Sequence, residues 1–132
     1  MTYAGKARLV MHALHRVLVV DDDEGICEAV AMALSSAGYD VMSAPDGAVA
    51  LELLDASQPD VILLDLLMPK VDGGAFARLY EQRPGPHAPI IVLTAANDVL
   101  ARAAGIKAAA WLAKPFHLAD RVACIEQHAG EP

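Results

Sequence analysis

The sequence contains no long hydrophobic run, few basic residues and few cysteines, and each shortage excludes a class of protein. Hydrophobic residues make up 55% of the 132 residues, but the apolar runs are only about four residues long. A membrane-spanning helix needs ~18 consecutive apolar residues or more. We therefore expect no membrane association, and we expect the apolar residues to form a large core.

Basic residues are outnumbered by acidic ones. The chain has 10 Lys and Arg residues against 17 Asp and Glu residues, which gives a formal net charge of -7. Nucleic acid is bound mainly through clustered Lys and Arg. The composition therefore argues against direct binding of nucleic acid, whereas an acidic site would attract a cation or a basic protein surface.

The two cysteines, Cys27 and Cys124, lie in helical patterns and lack the spacing of a metal site. We interpret them as small buried hydrophobic residues in a reducing cytoplasm. Histidine interrupts the apolar stretches at the N-terminus, so no signal-peptide core is expected. The length fits one domain, predicted at 16–129, with a loosely ordered arm at 1–15 and a C-terminal tail at 130–132.

Four short apolar runs each end at polar residues. The runs and the residues after them are 17–20 before Asp21, Asp22 and Asp23; 61–64 before Asp65; 90–93 before Thr94; and 110–113 before Lys114 and Pro115. These runs and residues 39–43 alternate with segments of helical periodicity. Such alternation predicts a parallel sheet that is covered by helices on both faces.

The predicted helices lie at 24–37, after a cap at Asp46, at 74–82, from Asn97 or Asp98 to near Gly105, and at 116–128. Five βα units with right-handed crossovers predict a flavodoxin-like (βα)5 three-layer α/β sandwich with strand order 2-1-3-4-5. In that order the first and third strands adjoin. The carboxylates of Asp21 and Asp22 should therefore lie close to that of Asp65.

Three crowded carboxylates favour a bound divalent cation, because their mutual repulsion is otherwise costly. Mg²⁺ prefers such hard oxygen ligands, and Mn²⁺ is the alternative metal. With the charge offset, one carboxylate can attack phosphorus and form an aspartyl phosphate. Asp65 stands alone opposite the acidic pair and is the best candidate nucleophile, while Lys114 and Thr94 could stabilise the phosphoryl group.

The segments 17–24, 64–69 with Asp72 and Gly73, 93–96 and 114–116 resemble the receiver domain of two-component response regulators, the CheY-like family. The resemblance covers about residues 16–129. It implies that Asp65 is the phosphoacceptor and that Asp22 and Asp65 are direct metal ligands. Asp21 would act through bound water, and the carbonyl of Leu67 would complete the protein ligands of the metal.

The resemblance also implies roles near the fourth and fifth strands. Thr94 and Lys114 would hold the phosphoryl group, and the bond before Pro115 would be cis. Thr94 and Trp111 would form the conformational switch. The family usually has Tyr or Phe in place of Trp111, and the alternative is a Trp that packs permanently beside the last strand.

The function so implied is that of a stand-alone receiver. It would accept its phosphoryl group from a sensor histidine kinase or a small donor such as acetyl phosphate, and would catalyse only its own phosphorylation and dephosphorylation. It is therefore not expected to be an enzyme. Its output would pass to an unknown protein effector through the face of the fourth helix, fifth strand and fifth helix, where a homodimer could also form.

Two alternatives stay open. A small haloacid-dehalogenase-like phosphohydrolase would use Asp21 as nucleophile and Asp23 as general acid, but Gly25 stands where that family has Thr or Val. A pseudo-receiver would serve as a docking module independent of phosphorylation. The complete set of acidic, Thr and Lys residues argues against this last interpretation, because a purely structural domain has no need to crowd carboxylates.

Overall fold

The computed structural model describes residues 15–66, 73–94, 108–113 and 117–129. Its elements are β1 Arg16–Val20, α1 Glu24–Ser36, β2 Asp40–Ala44, α2 Gly47–Ala56, β3 Val61–Asp65, α3 Gly73–Gln82, β4 Ile90–Thr94, β5 Ala110–Ala113 and α4 Leu118–Ala129. The predicted helix between Asn97 and Gly105, most of the predicted N-terminal arm and the tail at 130–132 lie outside the described residues.

The five strands form one parallel sheet in the order β2-β1-β3-β4-β5. This order and the flavodoxin-like fold class are those predicted from the sequence. The central strand β3 is buried along its whole length, as expected for a parallel sheet with helices on both faces. The sheet thus places the carboxyl ends of all its strands along one edge.

Alternate residues of the strands face two separate hydrophobic clusters. The first cluster contains Leu18, Ile62 and Val92 and packs under α2 and α3. The second contains Val19 and Leu63 and packs under α1 and α4. Because the side-chain period of a strand is two residues, the register of the strands is fixed on both faces at once.

Aspartate side chains cap the first two helices. The backbone N–H of Ile26 donates to Oδ1 of Asp23 at 3.1 Å, and that of Val49 donates to Oδ1 of Asp46 at 2.9 Å. Each bond satisfies one of the free N–H groups at a helix start. The cap predicted at Asp46 is confirmed.

Gly38 follows α1 with a φ of 98°, a conformation that glycine adopts without a steric penalty. The helix ends at Ser36, one residue earlier than predicted. The positive φ of Gly38 lets the chain reverse sharply into β2.

The last helix begins at Leu118, two residues later than predicted. The backbone N–H of His117 donates to Oδ2 of Asp120 at 3.2 Å. This contact is half of a capping box and places the helix start after His117.

None of the helices in the described part of the chain is both long enough and apolar enough to cross a membrane. The longest, α1, has 13 residues, whereas a helix that spans a bilayer needs ~20.

The cap at Asp46 gives a test of the local structure. Asp46→Ala removes the acceptor for the N–H of Val49 and should lower the free energy of unfolding by about 1 kcal/mol. Urea unfolding measures the change. Glu52→Ala, at an exposed position of the same helix, should alter it by less than about 0.5 kcal/mol, and equal effects of the two variants would contradict the capping role.

Candidate functional site

Three aspartates meet at the carboxyl edge of the sheet. Asp21 follows β1 directly and Asp65 ends β3, and these neighbouring strands pair with Val20 opposite Leu64. One carboxylate oxygen from each of Asp21, Asp22 and Asp65 lies within 4.8 Å of the others. The predicted convergence of the three carboxylates is therefore present in the structure.

The three aspartates differ in exposure. Asp21 and Asp65 are buried, with 3% and 8% of their surface exposed, whereas Asp22 is exposed. A cation at this site would therefore meet two shielded carboxylates and one in contact with solvent. Such a site lets an ion keep part of its water shell, as Mg²⁺ prefers.

Hydrogen bonds fix the orientation of Asp21. The backbone N–H of Asp23 donates to its Oδ1 at 2.9 Å, and its own N–H donates to the carbonyl of Ala44 at 3.0 Å. The thiol of Cys27 donates to the carbonyl of Asp21 at 3.3 Å. These contacts join the end of β1 to β2 and to the first turn of α1.

The other oxygen of Asp21, Oδ2, faces a buried arginine. Nη1 of Arg121 lies 3.5 Å away, and the arginine is only 7% exposed. Arg121 lies in α4, the last helix of the domain, whereas Asp21 follows the first strand. Sequence reasoning missed this residue, although its position four residues before Ile125 places it on the apolar face of the helix.

The environment raises the pKa of Asp21 from 3.8 to about 6. Burial is the main cause, and the negative charge of Asp65 adds to it; the N–H of Asp23 and the charge of Arg121 act in the opposite direction. In the absence of a metal ion, Asp21 therefore takes up a proton at a higher pH than an ordinary aspartate does. A divalent cation removes the same electrostatic penalty without a proton.

Burial and the charge of Asp21 raise the pKa of the Cys27 thiol to about 11. The thiol is therefore protonated at neutral pH and is a poor nucleophile. Burial also raises the pKa of Cys124. Both cysteines are free; Cys27 is buried, as predicted, whereas Cys124 is only partly buried.

The donor set fits a hard divalent cation. Oδ2 of Asp21 is buried and accepts no hydrogen bond from the described residues, so a ligand atom is available that the fold itself does not satisfy. The side chains of Asp21, Asp22 and Asp65 all offer carboxylate oxygens, the kind of ligand that Mg²⁺ prefers. The carbonyl of Leu67, predicted as a further ligand, lies outside the described residues.

Of the other predicted site residues that the structure describes, Thr94 lies at the same edge of the sheet, whereas Trp111 is the second residue of β5 and lies away from that edge. Thr94 ends β4 and pairs through its backbone with Ala113 of β5. Lys114 and Pro115 come directly after β5 in sequence but lie outside the described residues. Trp111 is half-buried, pairs with Val92, and packs against the first hydrophobic cluster.

A family model described as the response regulator receiver domain matches residues 17–126. The chain belongs to this family. The resemblance found in the motifs of the sequence is thus confirmed. Receivers generally bind Mg²⁺ at an acidic pocket, and this receiver has a cluster of three aspartates at the carboxyl edge of its sheet.

Curated relatives of this receiver are full-length response regulators. The chain is 43% identical over 110 residues to the response regulator MprA of Mycolicibacterium vanbaalenii, and 42% identical over 110 residues to that of Mycobacterium avium. The matched region is 82% of this chain but 47% and 48% of those proteins. The receiver therefore spans about half the length of the curated relatives it matches.

Solved structures of similar receivers have the same fold. A response regulator from Chloroflexus aurantiacus is 34% identical with a TM-score of 0.75, and the match covers 89% of this chain and 98% of that one. The chemotaxis response regulator CheY4 of Vibrio cholerae is 30% identical with a TM-score of 0.75, over 86% of this chain and 97% of that one. Their coverage supports the assignment of the fold over nearly the whole receiver.

The raised pKa of Asp21 predicts that this residue's contribution to the stability of the metal-free receiver falls as the pH rises. Between the ordinary pKa of 3.8 and the folded value of about 6, the folded state binds more protons than the unfolded state. The stabilisation is complete below about pH 4 and is lost as the pH rises through about 6. Urea unfolding in metal-free buffer should therefore show a steeper loss of stability in the wild type than in Asp21→Asn.

The matched control is Asp55→Asn, which alters a largely exposed carboxylate on α2. It should keep the wild-type pH dependence over this range. Parallel stability curves for the wild type and Asp21→Asn would contradict the shifted pKa.

Proposed function

We propose that this receiver accepts a phosphoryl group on Asp65 in a Mg²⁺-dependent reaction and transmits the change to a protein partner. The observation that carries the proposal is the position of Asp65. Its buried carboxylate ends the central strand within 4.8 Å of the carboxylate oxygens of Asp21 and Asp22. That arrangement combines a nucleophile with the ligands of a charge-neutralising cation.

In the proposed step, a carboxylate oxygen of Asp65 attacks the phosphorus atom of the donor. The bond from phosphorus to the donor breaks, and its electron pair leaves with the histidine nitrogen or the acetate oxygen. In dephosphorylation, water attacks phosphorus and the bond from phosphorus to the Asp65 oxygen breaks. Asp65 leaves as a carboxylate, and inorganic phosphate and the proton of the water are released to solvent. Bound Mg²⁺, or Mn²⁺ in its place, would offset the negative charge of the reacting groups.

The roles of the individual residues are those that the family resemblance implies. Asp22 and Asp65 would bind the metal directly, Asp21 would act through water, and the carbonyl of Leu67 would complete the set. The hydroxyl of Thr94 and the ammonium of Lys114 would hold the transferred phosphoryl oxygens. The position of Thr94 at the end of β4, beside β3, supports its part; the cis bond before Pro115 stays a prediction.

We propose a sensor histidine kinase as the physiological donor, as membership of the family implies, and a protein effector as the recipient of the signal. The surface for the effector, or for a homodimer, would include β5 and α4 together with the segment between β4 and β5. A stand-alone role, a cytoplasmic location and the absence of turnover of an external metabolite stay predictions. The two free cysteines support a reducing compartment.

The phosphohydrolase alternative is weakened by the first turn of α1. Asp23, which would be its general acid, accepts the N–H of Ile26 as the helix cap. Membership of the receiver family also leaves this alternative without support. The docking-only alternative differs from the proposal in one property, the ability of Asp65 to be phosphorylated.

Intact mass spectrometry separates these functions. After incubation with Mg²⁺ and acetyl phosphate, the wild type should gain one phosphoryl group, whereas Asp65→Asn or the addition of EDTA should abolish the adduct. Asp55→Asn, an exposed carboxylate on α2, should be labelled like the wild type.

The absence of any adduct, under conditions that label a known receiver, would contradict the proposal and favour a docking module. An adduct that survives in Asp65→Asn but is lost in Asp21→Asn would favour the phosphohydrolase instead.

Trp111 provides an optical test of the switch, because it is the one tryptophan in the sequence. If it moves with Thr94, its emission should change when acetyl phosphate is added in the presence of Mg²⁺, because a half-buried indole changes its exposure to water. Asp65→Asn should show no such change. An unchanged spectrum in a sample whose mass confirms the adduct would instead support the permanently packed Trp.

A further inference from the structure

Arg121 is a buried cation for which the proposed phosphoryl chemistry has no use. Only 7% of its surface is exposed, and it lies on α4 in the same helical face as the fully buried Ile125. Burial of a guanidinium among apolar side chains is costly unless an anion lies close by. The structure supplies that anion from the acidic cluster at the sheet edge.

The contact joins Arg121 to the most buried of the three aspartates. Nη1 of Arg121 lies 3.5 Å from Oδ2 of Asp21, and both side chains are more than nine-tenths buried. A charge-assisted hydrogen bond is usually near ~2.8 Å. At 3.5 Å, Nη1 of Arg121 and Oδ2 of Asp21 form an electrostatic contact and not a bidentate pair of hydrogen bonds.

The same oxygen is the one that the described fold leaves without a hydrogen bond. Arg121 and a bound divalent ion would therefore both use the negative charge of Asp21. A positive charge fixed beside the pocket lowers the affinity of that pocket for any further cation, and poor screening in a buried site makes the effect larger than at a surface.

We propose that Arg121 is a built-in counter-cation that competes with Mg²⁺ for the negative charge of Asp21. This inference rests on the proposed metal site and assigns to it a residue that tunes its affinity. In the metal-free receiver, the guanidinium partly neutralises the crowded carboxylates. Metal binding must overcome that interaction, so the receiver needs a higher Mg²⁺ concentration than the carboxylates alone would require.

The competition also connects the site to the last helix. Arg121 lies in the first turns of α4, which packs against α1, β1 and β3. By thermodynamic linkage, an ion pair that weakens metal binding is itself weakened when the metal binds. Occupation of the metal site would therefore loosen the attachment of α4 at its N-terminal end.

Isothermal titration calorimetry with Mg²⁺ at constant ionic strength tests the competition. Arg121→Met removes the charge but keeps an apolar chain of similar length, and it should bind Mg²⁺ roughly fivefold more tightly, or better, than the wild type. Arg121→Lys keeps the charge and should stay within about twofold of the wild type. An affinity for Arg121→Met equal to or weaker than that of the wild type would overturn the proposal.

Arg16→Met is the matched control for net charge. Arg16 pairs with Asp40 at 3.3 Å in an exposed contact at the amino end of β1, away from the aspartate cluster. The affinity of this variant for Mg²⁺ should change by less than about twofold. A tightening equal to that of Arg121→Met would mean that net charge, not the buried contact, sets the affinity, and would overturn the proposal.

A second measurement uses the wild type and does not depend on the folding of a variant. Amide hydrogen exchange in the first turns of α4 should become faster when Mg²⁺ is added, while exchange in β2 should not. Slower exchange in α4 would indicate that Asp21 interacts with Arg121 and the metal at the same time, and would contradict the proposal that the two compete.

Failure of the inference and failure of the proposed function give different results. If the wild type binds no Mg²⁺, or if the variants Asp22→Asn and Asp65→Asn bind Mg²⁺ as well as the wild type does, the proposed metal site is contradicted and the role of Arg121 with it. Wild type that binds Mg²⁺ through these aspartates, with no tightening in Arg121→Met, would overturn the role of Arg121 alone.

Discussion

The repulsion between neighbouring carboxylates at the edge of the sheet is the interaction on which the rest of the site depends. It arises because β1 and β3 pair in parallel with Val20 opposite Leu64, so that the residues after both strands meet. The hydrophobic clusters on the two faces hold this register, since a shift by one residue would expose every buried strand side chain. Core packing thus forces the aspartates together, and the site must offset their charge.

The structure offers several means of offsetting that charge. The raised pKa of Asp21 favours a proton, the N–H of Asp23 donates to one of its oxygens, and Arg121 brings a buried positive charge to the other. A divalent cation would replace the proton and compete with the arginine. The groups that offset the aspartate charges come from the cap of α1 and from α4. Phosphorylation of Asp65, as proposed, would change the charge beside these groups, and a binding surface that includes α4 would change with it.

The fold could be predicted from the sequence because its signals are local and agree with one another. Short apolar runs such as 61–64 followed by Asp65, the cap at Asp46 and the glycine after α1 each mark a boundary, and right-handed crossovers leave few topologies. The errors occurred at the ends of elements: β2 spans Asp40–Ala44 where 39–43 was predicted, and helix ends differ by one or two residues. α4 begins after His117 because the side chain of Asp120 accepts its N–H, a contact between neighbouring residues that apolar periodicity does not reveal.

The sequence by itself determined the strand order, the family, and the convergence of Asp21, Asp22 and Asp65, because these follow from the pattern of strands and from residues at strand ends. The tertiary structure decided which carboxylates are buried, how far the pKa of Asp21 is raised, and that Arg121 is its partner. Those properties depend on the packing of α4 over the sheet, which joins residues 100 positions apart. The helical spacing of Arg121 and Ile125 places the arginine on the apolar face of α4, but only the packed fold shows that this face meets a buried carboxylate and sets its dielectric surroundings.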